Sequence, residues 1–172
     1  MHVGLITYQT GHRKTLEVTL KLLTRGRHRI SWLAFPFVRR EKAPGHAPYP
    51  DRPHQLLDFD IEAFCKAQGI FYRVMGGWNA DCTRLTDDFD PPDIYLHCTA
   101  KIVPAHFLEG RTVLNVHPGL LPRNRGVDAL KWSIVNGWPV GVTLHAIDES
   151  IDRGNILYRR CVPILSSDTL DD

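Results

Sequence analysis

The chain lacks any apolar run long enough to cross a bilayer, and its charged residues, 23% of the total, are spread throughout. A membrane protein is therefore not expected. The apolar opening MHVGLITYQ has neither the basic leader nor the small-residue cleavage site of a secretory signal, so it reads as a first strand. Cys65, Cys82, Cys98 and Cys161 form no CxxC pair, and the nine histidines show neither HExxH nor HxH spacing. Both absences argue against a metal site and for small, mostly buried thiols in a reducing cytoplasm. A net charge of +2 is too small to imply a nucleic-acid surface. Gly76-Gly77-Trp78-Asn79 lacks the lysine and glycine spacing of a phosphate cradle, and no internal repeat or low-complexity tract is present.

What is present is a globular composition, 43% hydrophobic over 172 residues, enough for one domain with a real core. Strands are expected at His2–Tyr8, His28–Val38, Ile70–Val74, Asp93–Cys98, Val113–Val116, Gly141–Ile147 and Asn155–Ile164. Helices are expected at Thr15–Leu23, Asp58–Lys66 and Val127–Asn136, with Gly69 and Gly137 as stops and Trp132 as a packing residue. Arg39–Pro53, with four prolines and a glycine, reads as an irregular surface loop. Strands alternating with helices predict an α/β fold, a doubly wound, Rossmann-like and mostly parallel sheet. In such sheets ligands bind beyond the carboxyl ends of strands, which makes Tyr8, Gln9, Thr10, His12 and Lys14 substrate candidates.

Most of the polar chemistry collects between Leu114 and Asp152. A strand through Val116 delivers Asn115 and His117 to its end, two apart and so on one face, before Pro118 stops it. A carboxamide and an imidazole so placed suit a carbonyl reaction: the amide donates to a developing oxyanion while the imidazole moves a proton. Asp152, before the Arg153-Gly154 turn, is the third polar partner. Each of these residues has an ordinary explanation in turn chemistry or surface polarity. Their combination does not.

The ordered set Asn115-x-His117-Pro118-x-Leu120-Leu121-Pro122, Arg125-Gly126, Gly141-Val142-Thr143-x-His145 and Asp152-x-Gly154 resembles the formyltransferase family that uses 10-formyltetrahydrofolate. Within it, the pattern is most similar to amino-sugar N-formyltransferases and the formylation domains of peptide synthetases. The resemblance implies that Asn115, His117 and Asp152 are a catalytic triad and that His145 is the family's further histidine, on the folate side. It implies that Lys101, Ile102, Val103, Asp148 and Ile151 line the pocket of the 10-formyltetrahydrofolate cosubstrate. It brings the acceptor in from Tyr8–Lys14 and from Asn124, Arg125 and Gly126, where a forked guanidinium suits an anionic group.

The implied acceptor is a primary amine, favoured as that of an amino sugar. The alternatives are glycinamide ribonucleotide, as in purine synthesis, and a folate or nucleotide binding module without turnover. No metal, nucleic acid or membrane partner is expected, and a homodimer is allowed. The closing SSDTLDD reads as the beginning of a helix, so the expectation is a single catalytic domain over 1–172, truncated at its C-terminus.

Overall fold

The computed structural model describes residues 1–26, 28–36, 56–78, 90–165 and 167–168. They fall into two compact units, Met1–Pro92 and Asp93–Asp172. The loop expected over Arg39–Pro53, together with Val38, Asn79 and most of the closing segment, lies outside the described residues.

In the first unit, β1 (His2–Tyr8), β3 (Arg29–Phe35) and β5 (Phe71–Val74) form a parallel sheet in the order β5-β3-β1. β1 is buried along nearly its whole length, as a strand covered on both faces must be. β3 stops at Phe35 because Pro36 cannot donate to a ladder. Helix α1 (Arg13–Thr24) departs from its sequence pattern: its buried residues are Thr15 and Thr19, while Leu20 is exposed. The hydroxyls make this tolerable. Thr7 Oγ1 lies 2.7 Å from Thr15 Oγ1, and Thr19 Oγ1 donates to Thr15 O while accepting from Trp32 Nε1.

The turn between β1 and α1 carries an element the sequence did not announce. A two-residue strand β2 (Gly11–His12) pairs antiparallel with β4 (Leu56–Leu57). A Cβ at Gly11 would run into the Leu57 carbonyl, so glycine is required there. Helix α2 (Ile61–Ala67) begins where the Asp60 carboxylate accepts from Ala63 N at 2.9 Å.

In the second unit, β6 (Ile94–His97) and β7 (Val113–His117) run parallel, whereas β8 (Gly141–Ala146) and β9 (Ile156–Cys161) continue the sheet antiparallel. The expectation of a mostly parallel sheet holds, and the antiparallel pairs lie at this edge. Residues 147–155 are too few for a crossover of a dozen or more, so β8 and β9 form a hairpin. β9 pairs with β8 alone among the described residues, and all six of its residues are exposed. Helix α3 (Ala105–Leu108) precedes β7, and α4 (Ala129–Val135) precedes β8.

The buried set on β8 is Gly141, Thr143 and His145, the polar half of its alternation. Trp132, expected to pack, is exposed, and its neighbour Ser133 is buried instead. Among the described residues no helix is long and apolar enough to cross a membrane.

Cys65 and Cys98 are buried, but Cys161 is exposed on β9. Burial pushes the Cys65 thiol up to about 12. Iodoacetamide at neutral pH should therefore modify Cys161 in the folded protein and reach Cys65 only after unfolding; peptide mass spectrometry reads the difference, and equal labelling would contradict the packing of α2.

Thr19→Val keeps the shape of the side chain but strips Trp32 Nε1 of its acceptor. The cost should be about 1–3 kcal/mol, seen as a Tm lower by several degrees. An unchanged melt would show that the Thr19 hydroxyl does not matter to α1.

Candidate active site

Register brings the polar residues together in the second unit. On β7 and β8, Asn115 stands opposite His145 and His117 opposite Thr143. Residues so paired share a face of the sheet. His117 is 3% exposed and His145 is also buried, while Asn115 and Asp152 are half-buried.

The loop after β7 is tied down at several points. Thr143 Oγ1 donates to Gly119 O at 2.7 Å and accepts from Leu121 N at 3.1 Å. From β9, Arg159 Nη1 donates to Leu121 O at 2.9 Å. Gly119 has no room for a side chain: an added Cβ would sit 2.9 Å from His117 Nε2. Asn124, expected at the acceptor, is instead buried, its Nδ2 donating to Ala129 O and to Ser133 Oγ. Its backbone carbonyl accepts from His117 Nε2 at 2.7 Å.

That bond sets the histidine's polarity. With Nε2–H donating to Asn124 O, an assignment made from the partners, the other nitrogen faces the carboxylate: Nδ1 lies 3.4 Å from Asp152 Oδ2. The same carboxylate oxygen accepts from Gly126 N at 2.8 Å, and Oδ1 lies 3.5 Å from His145 Nε2. Asp152 holds this position with φ at +50, a left-handed conformation that aspartate tolerates better than most residues. Arg125 Nε donates to its backbone carbonyl at 3.1 Å. His145 Nδ1 donates to Ala146 O at 2.9 Å, leaving Nε2 to accept from Asn115 Nδ2, 3.4 Å away. The second hydrogen of the Asn115 amide remains to be donated outward.

The expected donor-side residues divide. Ile102 is 71% exposed and Ile151 is 62% exposed, both offering apolar surface, whereas Val103 is buried. Lys101 is half-buried with its amide on Thr99 Oγ1, and the exposed Asp148 accepts from Ser150 N at 2.9 Å. Thr143 stood in the motif that carries the resemblance but without a role assigned to it, and Arg159, which also holds the loop, had no signal in the sequence beyond its place on a strand. Among the described residues no group of three His, Cys, Asp or Glu side chains is arranged to hold a metal ion.

The remaining expected substrate residues lie in the first unit, between β1 and α1. Tyr8 is half-buried and meets His12 edge-on at 5.5 Å; Gln9 and Thr10 are exposed, and Lys14 is half-buried. The Gln9 amide donates to Phe35 O at 2.7 Å. His12 Nδ1 is buried without a hydrogen-bond partner.

An amide donor, two imidazoles and a shared carboxylate are groups that can polarise a carbonyl and move protons. The chain matches the Formyl transferase family over residues 60–172, and it belongs to that family. It is 42% identical over 73 residues to dTDP-4-amino-4,6-dideoxyglucose formyltransferase of Mycobacterium tuberculosis, covering 42% of this chain and 31% of that protein. It is 37% identical over 144 residues to methionyl-tRNA formyltransferase of Borreliella burgdorferi, covering 78% of this chain and 46% of that one. The chain thus spans less than half the length of these curated relatives. A solved structure of phosphoribosylglycinamide formyltransferase from Bacillus halodurans superposes with a TM-score of 0.67 at 21% identity, covering 99% of this chain and 84% of that one. The α/β, mostly parallel sheet is accordingly the formyltransferase fold.

Burial first, and Lys14 second, lower the His12 pKa from its ordinary 6.5. A depressed folded pKa contributes stability that is complete above about pH 6.5 and is lost as pH falls through the folded value. His12→Gln should therefore flatten the fall in Tm between neutral and mildly acid pH. Identical pH profiles for the two proteins would remove His12 from that linkage.

Proposed function

We propose that this chain carries the catalytic residues of an N-formyltransferase that moves the formyl group of 10-formyltetrahydrofolate to a primary amine of an amino sugar. The observation that carries the reading is the Asp152 carboxylate set between two buried imidazoles, with the Asn115 amide on the same sheet face. When bound, the folate supplies an activated formyl carbon. Ile102 and Ile151 offer exposed apolar surface suited to its pterin.

Each residue then has one task. The free hydrogen of the Asn115 amide donates to the formyl oxygen as the amine nitrogen adds to the carbon and negative charge develops. His117 Nδ1 and Asp152 take the proton released by that nitrogen and deliver one to the departing nitrogen when the old C–N bond breaks. Gly126 N and the Asn124 carbonyl keep carboxylate and ring in place throughout. Arg125, tied through Nε to Asp152 O, has its outer nitrogens directed to binding an anionic group on the acceptor.

An amino-sugar acceptor is supported by the identity to the enzyme named for dTDP-4-amino-4,6-dideoxyglucose, and by 34% identity over 85 residues to one named GDP-perosamine N-formyltransferase. Methionyl-tRNA is the competing acceptor, favoured by the longer stretch matched in the enzyme of that name.

The test is turnover with 10-formyltetrahydrofolate against a panel of nucleotide-linked amino sugars, glycinamide ribonucleotide and methionyl-tRNA, with product mass as the readout. Formylated sugar is the expected product. Formylation of the tRNA or ribonucleotide alone would overturn the sugar assignment, and folate release without any acceptor would indicate hydrolysis. Asn115→Ala should lower kcat by about 10²- to 10³-fold, and Asp152→Asn by at least about 10²-fold, with melting temperatures little changed. Normal turnover in either variant would sink the triad.

A further inference from the structure

The row of polar residues does not stop at Asn115. On its other side β6 ends in His97, in register with Asn115, so His97, Asn115 and His145 stand on one face of three adjacent strands. Neighbouring strands are about 5 Å apart. His97 is buried, and its Nε2 lies 3.0 Å from Thr99 Oγ1. That same hydroxyl accepts from Lys101 N at 3.2 Å, closing a turn by a hydrogen bond from residue i+2 back to the side chain of residue i. The turn leads directly into Ile102, one of the most exposed large apolar side chains in the unit, and then into the buried Val103.

A buried histidine usually satisfies itself within the core. His97 also reaches the hydroxyl that shapes the turn at Lys101. An isolated threonine holding the Lys101 amide would be free to rotate away, since its hydroxyl competes with water. With the imidazole fixed at the strand end, the hydroxyl has two directed partners and the turn has one shape. The anchored Val103 fixes the far side, so Ile102 projects from a short, doubly held loop.

We infer that His97 and Thr99 are positioning residues for the formyl donor: together they hold the turn at Lys101 so that Ile102 is presented to the pterin. The inference rests on the formyl-transfer reading, and it concerns how tightly the folate is held rather than the chemical step. A donor site built this way spends its binding surface on a preformed loop.

The experiment measures binding of 5-formyltetrahydrofolate by calorimetry alongside steady-state kinetics. His97→Leu and Thr99→Val should each raise the folate Kd and the KM for 10-formyltetrahydrofolate about fivefold to tenfold, as expected for one hydrogen bond that orders a loop. kcat and the KM for the acceptor should stay within about twofold. Because the two residues act through one path, the double variant should be no weaker than either single one. His97→Gln and Thr99→Ser, which keep the hydrogen bond, should recover wild-type affinity.

Unchanged folate affinity in both single variants would overturn the inference, and so would equal losses in kcat and in both KM values that Thr99→Ser does not recover. If the wild-type chain binds folate but turns over no acceptor, the reaction assigned above fails while the Kd comparison still decides the role of His97. If it binds no folate, both fall.

Discussion

The position of one carboxylate governs the site. Asp152 Oδ2 accepts from the Gly126 amide and faces His117, while Oδ1 faces His145, so a single planar group joins the loop after β7, the strand β7 itself, β8 and the loop after β8. The backbone must turn left-handed at Asp152 to permit this, and Gly154 follows at a place where any side chain would strike the Ala146 carbonyl. The tight return of the chain and the aim of the carboxylate are thus one constraint. The Gly126 amide is a directed donor to this charge, and such a bond helps a half-buried acid keep a defined geometry.

Around this centre the sheet supplies rigidity through polar contacts rather than apolar ones. Thr143 both donates to and accepts from the loop, Asn124 spends its side chain on Ala129 and Ser133, and the Asn124 carbonyl orients His117. Nearly every member has two partners, so loss of any one leaves another group buried and unsatisfied. The orientation of the His117 imidazole thus depends on residues outside the Asn115, His117 and Asp152 cluster.

The grouping of Asn115, His117, His145 and Asp152 could be expected from the chain because residues at fixed strand positions share a face. Asn115 and His117 are two apart, and two is the period of a strand. Asn124 shows where such reading ends: an asparagine beside Arg125 looks like a ligand contact, and nothing in the local sequence reveals that its amide turns inward to α4. The same holds for Thr15 and Thr19, since a helix face built from paired hydroxyls has no apolar period to detect. Strand direction was illegible as well. Alternation in β8 is the same whichever way it runs beside β7, and only its connection to β9, too short for a crossover, carries a direction.

The edge strand β9 leads to a last point. Both its faces are open, so what fixes its alignment is its ladder to β8, the irregularity between Leu144 and His145, and the reach of Arg159 to Leu121. Fraying there would withdraw Arg159 from the loop that carries Asn124. The hydrogen-bonded loop is therefore moored to a strand exposed along its length, and slow breathing at the margin would be felt as a loosening of the imidazole at the centre.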